Sequence, residues 1–121
     1  MRLRALPFLA LGLAGALASA AGAAENGPFD QETTAELARL CASTAATDRD
    51  FCFGFMLGAG QFYTEMLRAE VIRPLACPDP APTIEEMRVG FVDWVAANPD
   101  AGDKRAVDGM MRAAAEIWPC N

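Results

Sequence analysis

Thr47-Asp48-Arg49-Asp50-Phe51-Cys52-Phe53-Gly54-Phe55-Met56-Leu57-Gly58 is the stretch whose reading decides the fold. Thr47 is a helix-capping residue type, and Asp48 and Asp50 put negative charge at the positive end of a helix dipole. Phe51, Phe55, Phe62 and Met66 recur at helical spacing, while Phe53, Leu57, Tyr63 and Leu67 cover the other faces. The spacing predicts one helix to about Ala69, and apolar residues on most of its sides place it in the middle of the domain. Gln61, Thr64, Glu65 and Arg68 interrupt it too soon for a membrane span. Gly54 and Gly58 form a GxxxG pair with Gly60 just beyond. Each glycine inside a helix costs about 1 kcal/mol, so close approach of another helix across the glycine face is the expected return.

Upstream, Thr33-Thr34-Ala35-Glu36 is a capping box in which Glu36 can reach back to the cap amide. The helix it opens buries Leu37, Leu40 and Cys41 and ends near Ala42. Downstream, Pro74, Pro78, Pro80 and Pro82 mark a stiff connection with Cys77 inside it. Thr83-Ile84-Glu85-Glu86 is a further capping box, and Ile84, Met87, Phe91 and Val95 form one apolar stripe behind it. Asn98-Pro99 ends that helix, because the residue before a proline leaves the helical region. A fourth helix is expected from near Asp103, carrying Val107, Met110, Met111, Ala114 and Ile117 until Pro119. Met56, Met66, Met87, Met110 and Met111 fall at core spacing and read as core filler. Runs of β-branched residues and period-two alternation are both missing. The expectation is an all-α protein, a compact four-helix up-and-down domain.

Four cysteines allow three connectivities. The helix order narrows them: Cys41 closes helix one and Cys52 opens helix two, at one end of a hairpin, whereas Cys77 follows helix two and Cys120 follows helix four, at the other. Crossed pairings would span helix two, about 30 Å at 1.5 Å per residue, against the roughly 7 Å a disulfide tolerates between α-carbons. Cys41–Cys52 and Cys77–Cys120 are therefore the predicted staples. Closing these loops is worth roughly 3 and 4 kcal/mol by chain entropy.

Residues 1–24 read as a signal peptide: Arg2 and Arg4 start it, Leu6–Leu17 is its apolar core, and Ala18-Ser19-Ala20 and Gly22-Ala23-Ala24 are rival cleavage sites. Export to an oxidising compartment, read as a bacterial periplasm, agrees with an even cysteine count. Residues 25–121 then form one small domain, with Glu25–Glu32 as a loose lead-in and no membrane segment after cleavage. Removing Arg2 and Arg4 leaves eight basic residues against sixteen acidic, a charge of −8. That balance argues against nucleic acid and anionic lipid, and suits a basic protein partner or solubility.

Catalytic chemistry finds little to use. The chain has no histidine, the commonest general base and metal ligand, so no cysteine has its usual activating base. The spacings of 10, 24 and 42 residues between cysteines lack the close pair of a zinc site. Ser43 is the only serine after the leader. The carboxylate pairs Glu85-Glu86 and Asp48/Asp50 both fall at helix starts, where capping accounts for them. The reading is a non-enzyme with no cofactor and no metal.

Leu40-Cys41, Cys52-Phe53-Gly54-Phe55-Met56-Leu57-Gly58, Cys77-Pro78, Trp94-x-x-x-Asn98-Pro99 and Trp118-Pro119-Cys120, in that order, resemble the Rap/Tai family over Thr33–Cys120. Its best-known members are immunity proteins against amidase effectors of type VI secretion. The resemblance implies an all-helical periplasmic protein that blocks a peptidoglycan-cleaving cysteine amidase by binding over its catalytic groove, often as a homodimer. Leu75-Ala76 stands where an aromatic often precedes the third cysteine, and the turn Ala97–Asp103 is acidic here. No contact residue transfers by motif. Asp93, Asn98, Asp100 and Asp103, around the turn between helices three and four, are the predicted partner-binding surface. The alternatives are a family member with an unknown protein partner, or a small periplasmic acid-stress chaperone of the Hde type. In the latter, protonation of sixteen carboxylates would leave about +8 and open the fold by self-repulsion.

Overall fold

A computed structural model describes residues 32–121; the leader, its cleavage sites and the start of the lead-in lie outside the described residues. The elements are α1 (Thr34–Ala42), α2 (Ala46–Arg68), α3 (Ile84–Ala97), a 3-10 turn (Pro99–Ala101) and α4 (Ala106–Ile117). Among the described residues there are four α-helices, and the two predicted disulfides are present. Cys41–Cys52 has its α-carbons 5.1 Å apart, and Cys77–Cys120 has them 4.8 Å apart.

The helix starts differ from the expectations in instructive ways. At Thr83 the capping box is complete: the hydroxyl accepts from the Glu86 amide at 3.2 Å, and the Glu86 carboxylate accepts from the Thr83 amide at 2.7 Å. Thr33 accepts from the Glu36 amide at 3.2 Å, but Glu36 does not reach back, because Arg39 takes both its oxygens. Thr47 caps nothing. The Ser43 hydroxyl accepts from the Ala45 amide at 3.1 Å and closes the turn, and the Arg49 amide donates to the Ala45 carbonyl, so α2 begins at Ala46. The fourth helix begins at Ala106 and not near Asp103. Lys104 and Arg105 are held against the chain entering α1: Thr34 N donates to Lys104 O, Ala106 N donates to Glu32 O, and Thr33 and Arg105 form an antiparallel bridge.

The central helix is α1, not α2. The nine residues of α1 have α2, α3 and α4 all packed on them, and Thr34, Leu37, Ala38 and Cys41 are buried. The rest of the core comes from Cys52 and Met56 on α2, Phe91 and Trp94 on α3, and Ala106, Met110 and Ala113 on α4. Leu40 is half-buried. Length explains the position of α2. Its 23 residues span about 34 Å, far beyond the reach of α1, so its buried residues, Cys52 and Met56, both lie in its first half. Phe51, Leu57 and Phe62 are 45%, 53% and 68% exposed. The glycine face meets no helix: a methyl group at Gly54, Gly58 or Gly60 would have nothing within 4 Å.

Residues 69–71 end α2 with the Glu70 amide on Leu67 O and the Val71 amide on Met66 O, which puts Glu70 in the left-handed region at φ 57°. The chain then returns along a proline-rich strap to the start of α2, where Glu85 on α3 lies 3.5 Å from Arg49. Arg88, one turn on, donates to the Cys41 carbonyl at 2.7 Å and closes the end of α1.

Candidate functional site

Two surfaces stand out, at the two ends of α3. The first is the turn from α3 into α4. Pro99 opens a 3-10 turn in which Ala101 N donates to Asn98 O, Gly102 N to Pro99 O and Lys104 N to Ala101 O. Ala35 N donates to Gly102 O and fixes the turn against α1. Gly102 packs closely there: a methyl group at that position would lie 3.1 Å from Pro99 O and 3.4 Å from Ala35 Cβ. Asp100 and Asp103 are exposed on this rigid turn, with Lys104 Nζ 3.4 Å from Asp103. Asp93 is exposed on the last full turn of α3. Asn98 is different: half-buried, its amide donates to the Trp94 carbonyl at 2.8 Å and finishes the helix. Trp94 is itself held by its indole N–H on Glu116 at 2.7 Å. Of the four predicted binding residues, Asp100 and Asp103 share one exposed turn, Asp93 is exposed on α3 ahead of it, and Asn98 is engaged in supporting it.

The second surface went unread in the sequence. An apolar groove of about 740 Å³ runs between the second half of α2, the strap, and the facing sides of α3 and α4. Its floor includes Met56, Met87, Met110 and Met111, and its walls include Leu57, Gly60 and Tyr63 on α2 and Leu75, Pro78 and Pro82 on the strap. Met56 and Met110 are core residues as well; Met87 and Met111 are only half-buried, so the methionines serve core and surface together. The available signal was a quantity mismatch: α2 carries more apolar faces than three short helices can cover.

The carboxylates that depart from their usual acidity are all structural. Arg39 bonding holds the Glu36 carboxyl below the usual carboxylate range, and Arg88 does the same for Glu85 with Arg49 nearby. The Thr83 amide, then its hydroxyl, lowers Glu86. In turn Glu36 raises Arg39 and Glu85 raises Arg88. Glu85 and Glu86, the adjacent acid pair, are thus each bound to a helix-start partner and do not face one another as an acid and a base would. Among the described residues no group of three or more cysteine, aspartate or glutamate side chains is placed to share a metal ion, and no helix is long and apolar enough to cross a membrane. What the surfaces offer is recognition: fixed negative charge at one end and an open apolar cleft at the other.

A model of the Rap1a immunity protein family matches residues 33–120, the span from the α1 cap to the last cysteine. No curated protein and no solved structure matches the chain.

Proposed function

Because this chain belongs to the Rap1a immunity protein family, we propose that it is a non-catalytic periplasmic protein that binds and inhibits a peptidoglycan-cleaving cysteine amidase delivered by type VI secretion. The observation that carries the reading is the family match itself, which covers every described helix and both disulfides. The signal-like leader and the two staples support the periplasm as its location. The acidic turn supports a partner with a basic rim, and Asp93, Asp100 and Asp103 are its proposed contacts, with Asn98 as their support. The test is co-expression with a type VI cysteine amidase, sought among the genes neighbouring this one, directed to the periplasm. Protection of the cells, with a stable complex and loss of amidase activity for the purified pair, is expected. Lysis undiminished by this protein, with no complex formed, would remove the reading.

The proposed assembly is a homodimer through the outer face of α2. Phe51, Phe55, Gly58 and Phe62 follow one stripe, Phe51 is partly and Phe62 largely exposed, and Gly54 and Gly58 leave room for close approach. An antiparallel copy of α2 on that stripe would set Phe51 opposite Phe62 and Phe55 opposite Gly58 of the second copy. Sedimentation equilibrium is expected to give a dimer that Phe62→Glu converts to monomer with its helix content intact. A wild-type monomer throughout the micromolar range would exclude the dimer and leave the inhibitor reading standing.

A further inference from the structure

We infer that Cys77–Cys120 is a selectively reducible latch that holds the strap in place as one wall of the apolar groove, while Cys41–Cys52 stays oxidised and keeps the core closed. The inference is independent of any partner. It rests on access and on what each bridge holds.

Thiol–disulfide exchange needs a thiolate to reach a sulfur atom, so exposed bridges are the labile ones. Cys41 and Cys52 are fully buried, at 0% exposure each, inside the core formed by Leu37, Met56 and Phe91. Cys77 and Cys120 are both exposed. The second difference lies in the surroundings. Cys41–Cys52 joins two helices that also pack on each other, whereas Cys77 sits in a segment with few hydrogen-bonded ties to the rest of the protein. Those ties are the Cys77 amide on Trp118 O at 2.8 Å and the Leu75 amide on the Tyr63 hydroxyl at 2.7 Å. Pro74, Pro78, Pro80 and Pro82 have no N–H, so the strap has few donors to bond elsewhere. Opening the latch frees the strap wall from the groove floor of Met87, Met110 and Met111.

The reductant is a dithiol. Its first thiolate attacks one sulfur of Cys77–Cys120, forming a mixed disulfide and expelling the other as a thiolate that takes up a proton. Its second thiol then displaces the remaining cysteine. Two electrons pass to the protein, which ends with two thiols, and the reductant ends as a disulfide.

The test titrates the folded, oxidised protein with dithiothreitol, traps thiols by alkylation and identifies them by peptide mass spectrometry. Circular dichroism and the fluorescence of an apolar dye are followed in parallel. The Cys77 and Cys120 peptides are expected to alkylate together at a reductant concentration at least about tenfold below that for Cys41 and Cys52. Helix content should hold over that interval while dye fluorescence rises. The Cys77→Ser/Cys120→Ser variant should show the raised dye signal without reductant. Simultaneous alkylation of all four cysteines, loss of helix with the first bridge, or reduction of the first bridge with unchanged dye fluorescence would each overturn the inference. The titration of the wild-type protein decides the matter even if the double variant does not fold.

Discussion

A methyl group on Gly109 would lie 2.2 Å from Thr34 Oγ1 and 2.8 Å from Thr34 Cβ, and Thr34 has nowhere to go. It is fully buried, and its single hydroxyl proton is shared between Lys104 O and Arg105 O, both at 3.0 Å, fixing the entry to α4. Gly109→Ala is therefore expected to destabilise the fold by about 1–3 kcal/mol through overpacking, despite alanine's better helix propensity. Urea unfolding should show a lower midpoint with an unchanged slope. Glu70 gives the opposite sign. It holds the left-handed position after α2, where a side chain is strained and glycine is not. Glu70→Gly should raise stability by roughly 0.5–1 kcal/mol, read in the same urea experiment. Neither role was legible in sequence. Thr34 reads as the second threonine of a capping box, and its long-range bonds exist only once α4 has docked; Glu70 is an ordinary polar residue until the chain must turn.

Single elements show what local patterns convey and where they stop. The Thr83 box formed as read because all its partners lie within four residues, and both cystines paired as the helix order required. Glu36 failed its box because Arg39, three residues on, offers a charged partner that the cap amide cannot match. The misplacement of α2 has a similar cause. Periodicity shows that a helix has apolar faces, but only tertiary geometry decides which are covered, and α1 is too short to cover them. The acid response belongs at this scale. Glu36, Glu85 and Glu86 have folded-state pKa values below the unfolded value, so their stabilisation is full above the ordinary glutamate value of about 4.3 and is lost as pH falls through the lower folded values. Stability should thus decline on the acid side of that value. Glu86→Gln should shallow the decline measured by urea midpoints between neutral and strongly acidic buffers. An unchanged slope in that variant would show that the capping box contributes nothing to the acid response.

At the level of the whole molecule, net charge and the disulfide framework were readable because they depend on composition and order. The groove was not, because it is the space left between elements of unequal length. The acidic turn lies between these cases: its charges are visible in sequence, while its rigidity comes from Ala35 and the 3-10 turn. That rigidity makes a specific prediction for the partner proposed above. Charges fixed on a turn that does not rearrange steer association and act mainly on the on-rate, with an effect that salt screens. Asp100→Lys together with Asp103→Lys should slow association with the amidase by about tenfold or more at low salt. The deficit should shrink as ionic strength passes the physiological range. A control with the same change in net charge, Glu70→Lys with Asp79→Lys on the strap side, should slow association far less, because these residues lie outside the turn. Surface plasmon resonance across a salt series separates the outcomes. Equal slowing by both pairs would mean that only overall charge matters and that the docking face lies elsewhere on the molecule.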